Sequence, residues 1–146
     1  MLQVTISRDD RSGGLITVNM AGRLDALSAE TFVQAVLPVL TQRCTVVLDM
    51  AGVCDVTHAG LVALFRVALA ASGLYGDDTA DNQAAFYRLL RADYGGITPL
   101  HLVAPRWQVI AQIQSGGLGA IAVIHNSWGD WQGTLRRGIP CRQLAA

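Results

Sequence analysis

Apolar and polar positions alternate in two segments near the start of the chain, residues 2–7 and 15–21. A period of two is typical of half-buried β-strands. Because the polar segment between them is short and ends in glycine, we expect the strands to form an antiparallel hairpin. A third apolar run, Thr45 to Leu48, has the length of a buried strand. We expect Asp49 to end this strand and Ala51-Gly52 to form a turn.

A repeat of apolar residues at helical spacing follows the hairpin and predicts the first helix. Its apolar stripe consists of Phe32, Val33, Val36, Leu37 and Leu40. We expect residues 22–27 to form a loop and Ser28 to be the N-cap, since a serine oxygen accepts hydrogen bonds from the free N–H groups of a helix start. Pro38 should shorten the last turn, because proline has no backbone N–H to donate.

The longest apolar segment runs from Ala59 to Leu74 and has helical length. Arg66 and Ser72 are its only clearly polar residues. A helix that is apolar on every side is either buried all round or covers one face with a partner. In a domain of this size we favour the second arrangement. The helix is therefore predicted to present a flank to another protein or to a second copy of the chain.

The second half of the chain predicts two more strands, at residues 99–104 and 120–124, and two more helices. The apolar residues of these helices are Trp107, Ile110 and Ile113 in one, and Trp128, Trp131 and Leu135 in the other. Residues 75–97 interrupt the pattern with a polar loop and a short helix. We expect this segment to be an insertion, either packed at the edge of the core or serving as a docking surface. Residues 136–146 are predicted to form a tail.

Helices that alternate with strands after an opening hairpin predict one α/β domain over residues 1–146. We expect a mixed sheet of about four to five strands, covered by about four helices. Hydrophobic residues make up 51% of the chain, which is enough to build a sizeable core.

The net charge of the chain limits the classes of molecule that it is expected to bind. Its 11 basic and 11 acidic residues give a formal net charge of zero at pH 7. A nucleic-acid partner would require a basic face, so we expect none. No apolar run reaches the roughly 18 residues of a membrane span. The first residues also lack the apolar core of a signal peptide, and we therefore expect a cytoplasmic protein.

The residue types exclude most familiar enzyme sites. The chain contains no lysine and a single glutamate, Glu30. A phosphate-binding P-loop, a Schiff-base lysine and an HExxH zinc site are thereby excluded. His101 and His125 show no spacing that would complete a metal site. Because no nucleophile–base pair is visible, we expect a protein that is not an enzyme and that uses no cofactor and no metal.

Several segments resemble the STAS domain family, which includes bacterial anti-sigma factor antagonists. In the first half these are Gly22-Arg23-Leu24-Asp25-Ala26, Leu48-Asp49-Met50, and Val53 through Leu61. In the second half the resemblance runs from Pro105 through Ile110 to Gly117-Leu118. It covers residues 2–74 and 98–135 and leaves 75–97 as the insertion. The resemblance implies the STAS fold for the predicted α/β domain.

The resemblance also implies a function. In the family, an Asp-Ser pair opens the central helix, and a Ser/Thr kinase that is also the anti-sigma factor phosphorylates the serine. The unmodified domain binds this kinase, and the charge of the phosphate releases it. Here Thr57 and His58 occupy the two positions, so the regulated hydroxyl is missing from its usual place. The chain is thus similar to an anti-sigma factor antagonist that does not depend on phosphorylation, with Thr57 as a helix cap or a displaced phosphoacceptor.

The residues predicted to bind the partner follow from this resemblance. They are Arg23, Asp25, Asp49, Thr57, His58, Ala59, Gly60 and Leu61. For two of them a structural role is the alternative, Asp25 as a solvated turn residue and Asp49 as a cap of loop backbone. Two further alternatives stay open for the whole domain: a STAS-type sensor of a small ligand, and a scaffold that self-assembles, for example as a homodimer.

Overall fold

The computed structural model describes residues 2–9, 14–40, 44–73, 87, 91 and 97–137. Most of the predicted insertion at 75–97 and most of the predicted tail at 136–146 lie outside these residues, so both remain predictions, except that residues 136 and 137 belong to the last helix. The described residues form a five-stranded sheet and four α-helices. The strands are β1 (Gln3–Asp9), β2 (Leu15–Leu24), β3 (Thr45–Val56), β4 (Leu100–Val103) and β5 (Ala122–His125). The helices are α1 (Ala26–Val36), α2 (His58–Ala71), α3 (Trp107–Ser115) and α4 (Trp128–Arg137), and a short 3-10 turn (Leu37–Val39) follows α1.

The strands lie in the sheet in the order in which they occur in the chain. The first pair, β1 and β2, is antiparallel, as the predicted hairpin requires, and all later neighbours are parallel. Each parallel step is made through a helix, which returns the chain to the starting edge of the sheet. The prediction of a mixed α/β sheet is therefore confirmed.

The two faces of the sheet are covered unequally. Residues Val46, Leu48 and Met50 of β3 belong to a large core, to which α1, α2 and α3 all contribute. The alternate residue Val47 faces the other way, into a smaller cluster with Trp131 of α4. Because successive side chains of a strand point to opposite faces, one apolar strand serves both layers.

Strand β3 is longer than its sequence pattern predicts. Asp49 does not end it, and Ala51-Gly52 is not a turn, since the strand continues to Val56. Strand β2 runs beside it to Leu24 and supplies ladder partners over the whole length, with register shifts that absorb the irregular segment. The predicted loop at 22–27 is wrong for the same reason, because its first three residues are still strand.

Helix α2 is interior, and the predicted exposed flank is wrong. Every residue from Gly60 to Ala71 is buried. The charged Arg66 is only 4% exposed, and its Nη1 donates to Glu30 of α1 at 3.2 Å. The chain itself therefore covers a helix that we expected to need a partner, and α1 and β3 are among the elements that contact it. No helix of the described residues is long and apolar enough to cross a membrane.

Two local predictions for helices also need correction. The N-cap of α1 is Asp25, and Ser28 occupies the third position inside the helix. Helix α3 buries Val109 and Ile113, whereas Trp107 at its first position is 79% exposed. A tryptophan at helical spacing with apolar neighbours was predicted to be core, but the first turn of α3 extends beyond the layer that it covers.

Candidate functional site

The candidate site lies at the carboxyl edge of the sheet, where three helices begin. Helices α1, α2 and α3 follow strands β2, β3 and β4, and all three strands run in the same direction. Their first turns are therefore neighbours at one edge, as in other α/β sheets. We call this region, from Arg23 to Leu27, from Asp55 to Ala59 and from Arg106 to Gln112, the carboxyl edge.

The start of α2 is held against the end of β2. Thr57 is the N-cap residue, with extended backbone angles, and its N–H donates to the carbonyl of Leu24 at 3.0 Å. Its hydroxyl makes only a long contact, 3.5 Å, to the same carbonyl oxygen, and makes no side-chain cap of the helix. Thr57 thus occupies the predicted cap position without capping through its side chain. The next residue, His58, is exposed, and Ala59 is half-buried.

Asp25 has a structural role beside this turn, as part of the N-terminal cap of α1. Its carboxylate accepts hydrogen bonds from the N–H groups of Leu27 and Ser28, both at 3.1 Å, and the Ser28 hydroxyl accepts from the N–H of Asp25 at 3.0 Å. This reciprocal pair is a capping box. The hydrogen bond from the Ser28 N–H is the largest cause that lowers the pKa of Asp25 below its ordinary value. Asp25 is therefore more than the solvated turn residue considered as an alternative.

A polar network joins three elements under the α2 turn, and it centres on a residue that the sequence pattern did not indicate. Asp55 accepts from Nε2 of Gln112 on α3 at 2.7 Å and from Nη2 of Arg23 at 3.2 Å. The other end of the Gln112 amide accepts from the N–H of Val56 at 3.0 Å. The hydrogen bond from Gln112 is the main cause that lowers the pKa of Asp55. Because Gln112 lies 56 residues from Val56 in the chain, no local pattern pointed to this contact.

A second glutamine of α3 also bonds to the end of β3. Gln108 lies one turn before Gln112 on α3, and its Nε2 donates to the carbonyl of Cys54 at 2.8 Å. Two glutamines four residues apart on a helix face are the only signal for this contact in the sequence. Together they anchor α3 to the last residues of β3, and so they set the position of the turn at Thr57 and His58.

The structure brings together some of the predicted site residues and separates others. Arg23, Asp25, Thr57, His58 and Ala59 lie at the carboxyl edge. The two remaining residues of the α2 start, at positions 60 and 61, are buried in the core.

Asp49 lies away from the carboxyl edge. Asp49 pairs with Asn19 of β2. Along β3 it lies six residues before Asp55, the ladder partner of Arg23, and six residues of strand span roughly 20 Å. Its carboxylate accepts from the backbone N–H of Ala51 in the same strand and from Nε1 of Trp128 on α4. This geometry matches the structural alternative for Asp49, a cap of neighbouring backbone.

Two large apolar side chains protrude at the carboxyl edge. Leu27 in the first turn of α1 is 90% exposed, and Trp107 in the first turn of α3 is 79% exposed. They lie on the two helices that flank the start of α2. Contiguous exposed apolar patches mark surfaces that bind other molecules, and Leu27 and Trp107 are candidate anchor residues for such a contact. The arrangement is an open surface with protruding side chains, which suits contact with a protein. Among the described residues no group of three or more side chains could hold a metal ion.

Comparison with solved structures identifies the fold. A mixed sheet whose helices begin together at a carboxyl edge, with the central helix buried, is the STAS fold of anti-sigma factor antagonists. An anti-sigma factor antagonist from Mycobacterium paratuberculosis superposes with a TM-score of 0.60 over 93% of this chain and 95% of its own, at 19% sequence identity. The anti-sigma factor antagonist SpoIIAA in its unphosphorylated form gives a TM-score of 0.52 over 95% of this chain and 98% of its own, at 17% identity.

Sequence comparison adds nothing to this result. No protein-family profile matches the chain, and no curated protein matches it. At such low identity the structures share a fold, and the side chains of the carboxyl edge have to be judged on their own chemistry. The STAS fold that the sequence resemblance implied is confirmed.

Proposed function

We propose that this chain is a non-catalytic protein-interaction module that acts as an anti-sigma factor antagonist. The observation that carries the proposal is the exposure of His58 in the first turn of α2, with Leu27 and Trp107 exposed in the first turns of α1 and α3. The structurally similar proteins are anti-sigma factor antagonists, which supports an anti-sigma factor as the class of partner. We further propose that the protein acts in the cytoplasm, where such a partner would be found.

The physical basis of the proposal is a contact surface with protruding apolar side chains, Trp107 above all. A few side chains, tryptophan prominent among them, supply most of the binding energy when a partner buries them. The polar network of Arg23, Asp55 and Gln112 holds the surface rigid, so little conformational entropy is lost on binding. The partner would be a protein with pockets for Leu27 and Trp107.

We propose that phosphorylation does not control this contact. His58 has no hydroxyl group, and the nearest hydroxyl, on Thr57, is half-buried and directed at the carbonyl of Leu24. A kinase would have to break the start of α2 to reach it. Incubation with the captured anti-sigma factor and ATP, followed by mass spectrometry, tests this part. Stoichiometric phosphate on Thr57 would show that the switch has moved by one residue and has not been lost.

The partner contact is tested by capture and calorimetry. Immobilised protein is used to capture binding proteins from the cytosol of the source organism, and an anti-sigma factor among them is then purified and titrated. Leu27→Ala and Trp107→Ala should each weaken its affinity by roughly tenfold or more, as for other truncated anchors. Val123→Ala is the matched control, because Val123 is an exposed apolar residue on β5, away from this edge.

The outcomes separate the proposal from its alternatives. Unchanged affinity in both edge variants, with their melting temperatures also unchanged, would place the contact elsewhere. Failure to bind any anti-sigma factor, together with a molar mass by light scattering that rises with concentration, would favour the self-assembling scaffold. His58→Ser should keep the affinity and become a substrate for phosphorylation if the captured protein is a kinase.

A further inference from the structure

Two buried histidines meet under helix α4, on the opposite face of the sheet from α2. His101 on β4 is 3% exposed and His125 on β5 is 7% exposed. Nδ1 of His101 and Nε2 of His125 are 3.0 Å apart, which is a hydrogen bond, and the rings are stacked. Trp131 of α4 packs on both rings, with centroid distances of 4.9 and 5.1 Å. The pair is therefore the surface on which α4 is seated.

When both histidines are neutral, the geometry of the pair allows one arrangement of their ring protons at low energetic cost. Nε2 of His101 is buried and has no hydrogen-bond partner among the described residues. A buried N–H without an acceptor is more costly than an unused lone pair, so we assign the proton of His101 to Nδ1. His101 then donates to Nε2 of His125, and the single N–H of the neutral His125 is at Nδ1.

Any added proton breaks this arrangement. A proton on Nε2 of His101 creates a buried cation whose new N–H has no acceptor among the described residues. A proton on Nε2 of His125 sets two N–H groups against each other across 3.0 Å, unless the proton of His101 moves to its buried Nε2. Either way of adding a proton therefore destabilises the state in which α4 is docked. It does not destabilise the undocked state, since solvated histidines take up protons freely.

The charged groups around the pair compensate for this only in part, because burial outweighs the charge of Asp130 at His125. On α4, Asp130 lies close enough to His125 to act on it electrostatically, and it lines a cavity of about 240 Å³ together with His125 and Thr134. On β3, the neighbour of His101 is the apolar Val47, and the carboxylate of Asp49 is bonded to Trp128. The cavity supplies a route for protons to the pair, but no carboxylate is shown in contact with His101.

We propose that the His101–His125 pair is an acid-sensitive latch for helix α4, in which proton uptake breaks the contact and releases the helix while the larger core stays folded. The proposal goes beyond partner binding and does not depend on it. The release would expose the apolar residues that Trp131 covers, among them Val47 and Val103. The larger core uses the other face of the sheet, so it does not require α4.

The sign of the effect follows from the environment of the pair. Burial, together with the charge of His125, lowers the pKa of His101 from 6.5 to about 4. Burial also lowers the pKa of His125, against the opposing influence of Asp130. The docked helix is therefore fully favoured above pH 6.5 and loses this advantage as the pH falls toward 4. For His101 alone, the opening equilibrium should rise about 30-fold between pH 8 and pH 5.

The test uses the tryptophans of α4 as reporters. In a Trp107→Phe protein the two remaining tryptophans, at positions 128 and 131, both lie on α4. We expect acrylamide quenching of their fluorescence to increase several-fold as the pH falls from 7.5 to 4.5, with most of the far-UV ellipticity retained. At the end of the titration ordinary Asp and Glu carboxyls, with pKa values of about 3.9 and 4.3, are still mostly ionised. In this background His101→Leu should abolish the increase, whereas His58→Gln should leave it unchanged.

Three results would overturn the latch. The first is quenching that stays constant over the whole pH range. The second is a rise in quenching that coincides with loss of ellipticity, which would show global unfolding. The third is an equal rise in the His101→Leu variant. If that variant does not fold, the pH titration by NMR of the histidine ring protons decides, because a latch requires both buried rings to titrate together with the quenching.

Discussion

A methyl group added at Gly60 tests how tightly the start of α2 is packed against the end of β2. A Cβ atom at this position would overlap the backbone carbonyl oxygen of Leu24, and it would lie 3.0 Å from Cγ of the same residue and 3.1 Å from Cγ1 of Val56. The first obstacle is backbone and cannot rotate away. Helix α2 would have to move off the sheet by several tenths of an ångström, at the point where Thr57 bonds to β2.

The magnitude follows from two opposing effects. Overpacking of a filled core typically costs about 1–3 kcal/mol. Alanine gains up to about 1 kcal/mol over glycine in a helix. For Gly60→Ala we therefore expect a net loss of about 1–2 kcal/mol in the free energy of unfolding. Gly129 is the matched control, since it also lies in the first turn of a helix but has only Ser127 Oγ nearby, at 3.6 Å. Gly129→Ala should be neutral or stabilising.

The assay is urea denaturation of both variants, with thermal melting as a second measurement. At about 2–4 °C per kcal/mol for a chain of this length, the Gly60→Ala protein should melt roughly 2–8 °C below a neutral Gly129→Ala control. Leu24→Ala in the Gly60→Ala background should not restore stability, because the obstructing atom is a backbone oxygen. A Gly60→Ala protein as stable as the parent would refute the close approach of helix and strand, and with it the purely structural role of Gly60.

Two further predictions concern the polar groups of the carboxyl edge. Asp25→Ala removes the acceptor of the α1 capping box and should lower the unfolding free energy by about 1 kcal/mol. Asp25→Asn, which can still cap, should lose much less in the same urea titration, and equal losses would contradict the capping role. Gln112→Ala leaves the N–H of Val56 without its acceptor and should cost about 1–3 kcal/mol. It should also raise the pKa of Asp55 toward its ordinary value, as followed by NMR, whereas Gln114→Ala, on the exposed side of α3, should change neither quantity.

Local pattern was a reliable guide to the type and order of the elements. The alternation at β1 and β2, the helical spacing of α1 and the long apolar run of α2 all correspond to elements of the predicted kind. Periodicity determines which face of an element is apolar, and an apolar face requires a covering layer. The ends of the elements were less well predicted, because tertiary pairing with β2 carried β3 past Asp49 as far as Val56.

Only part of the candidate site could be predicted from the sequence. The first turn of α2 at Thr57 and His58 was located from the sequence, because a strand followed by a helix leaves the helix start exposed at the sheet edge. The network under this turn was not, since Asp55 and Gln112 meet only when α3 folds back across the sheet. The same applies to His101 and His125, which lie on neighbouring strands and have no meaningful spacing along the chain.

The sequence by itself determined an α/β domain with a strongly apolar central helix and an exposed turn at its start. Only the tertiary structure decided what that helix does. An all-apolar helix satisfies the same pattern whether another part of the chain or another protein covers it, since the hydrophobic effect depends on the area removed from water and not on the molecule that removes it. In this protein the chain itself covers it, and the surface that we propose for a partner is the carboxyl edge, at the first turns of α1, α2 and α3.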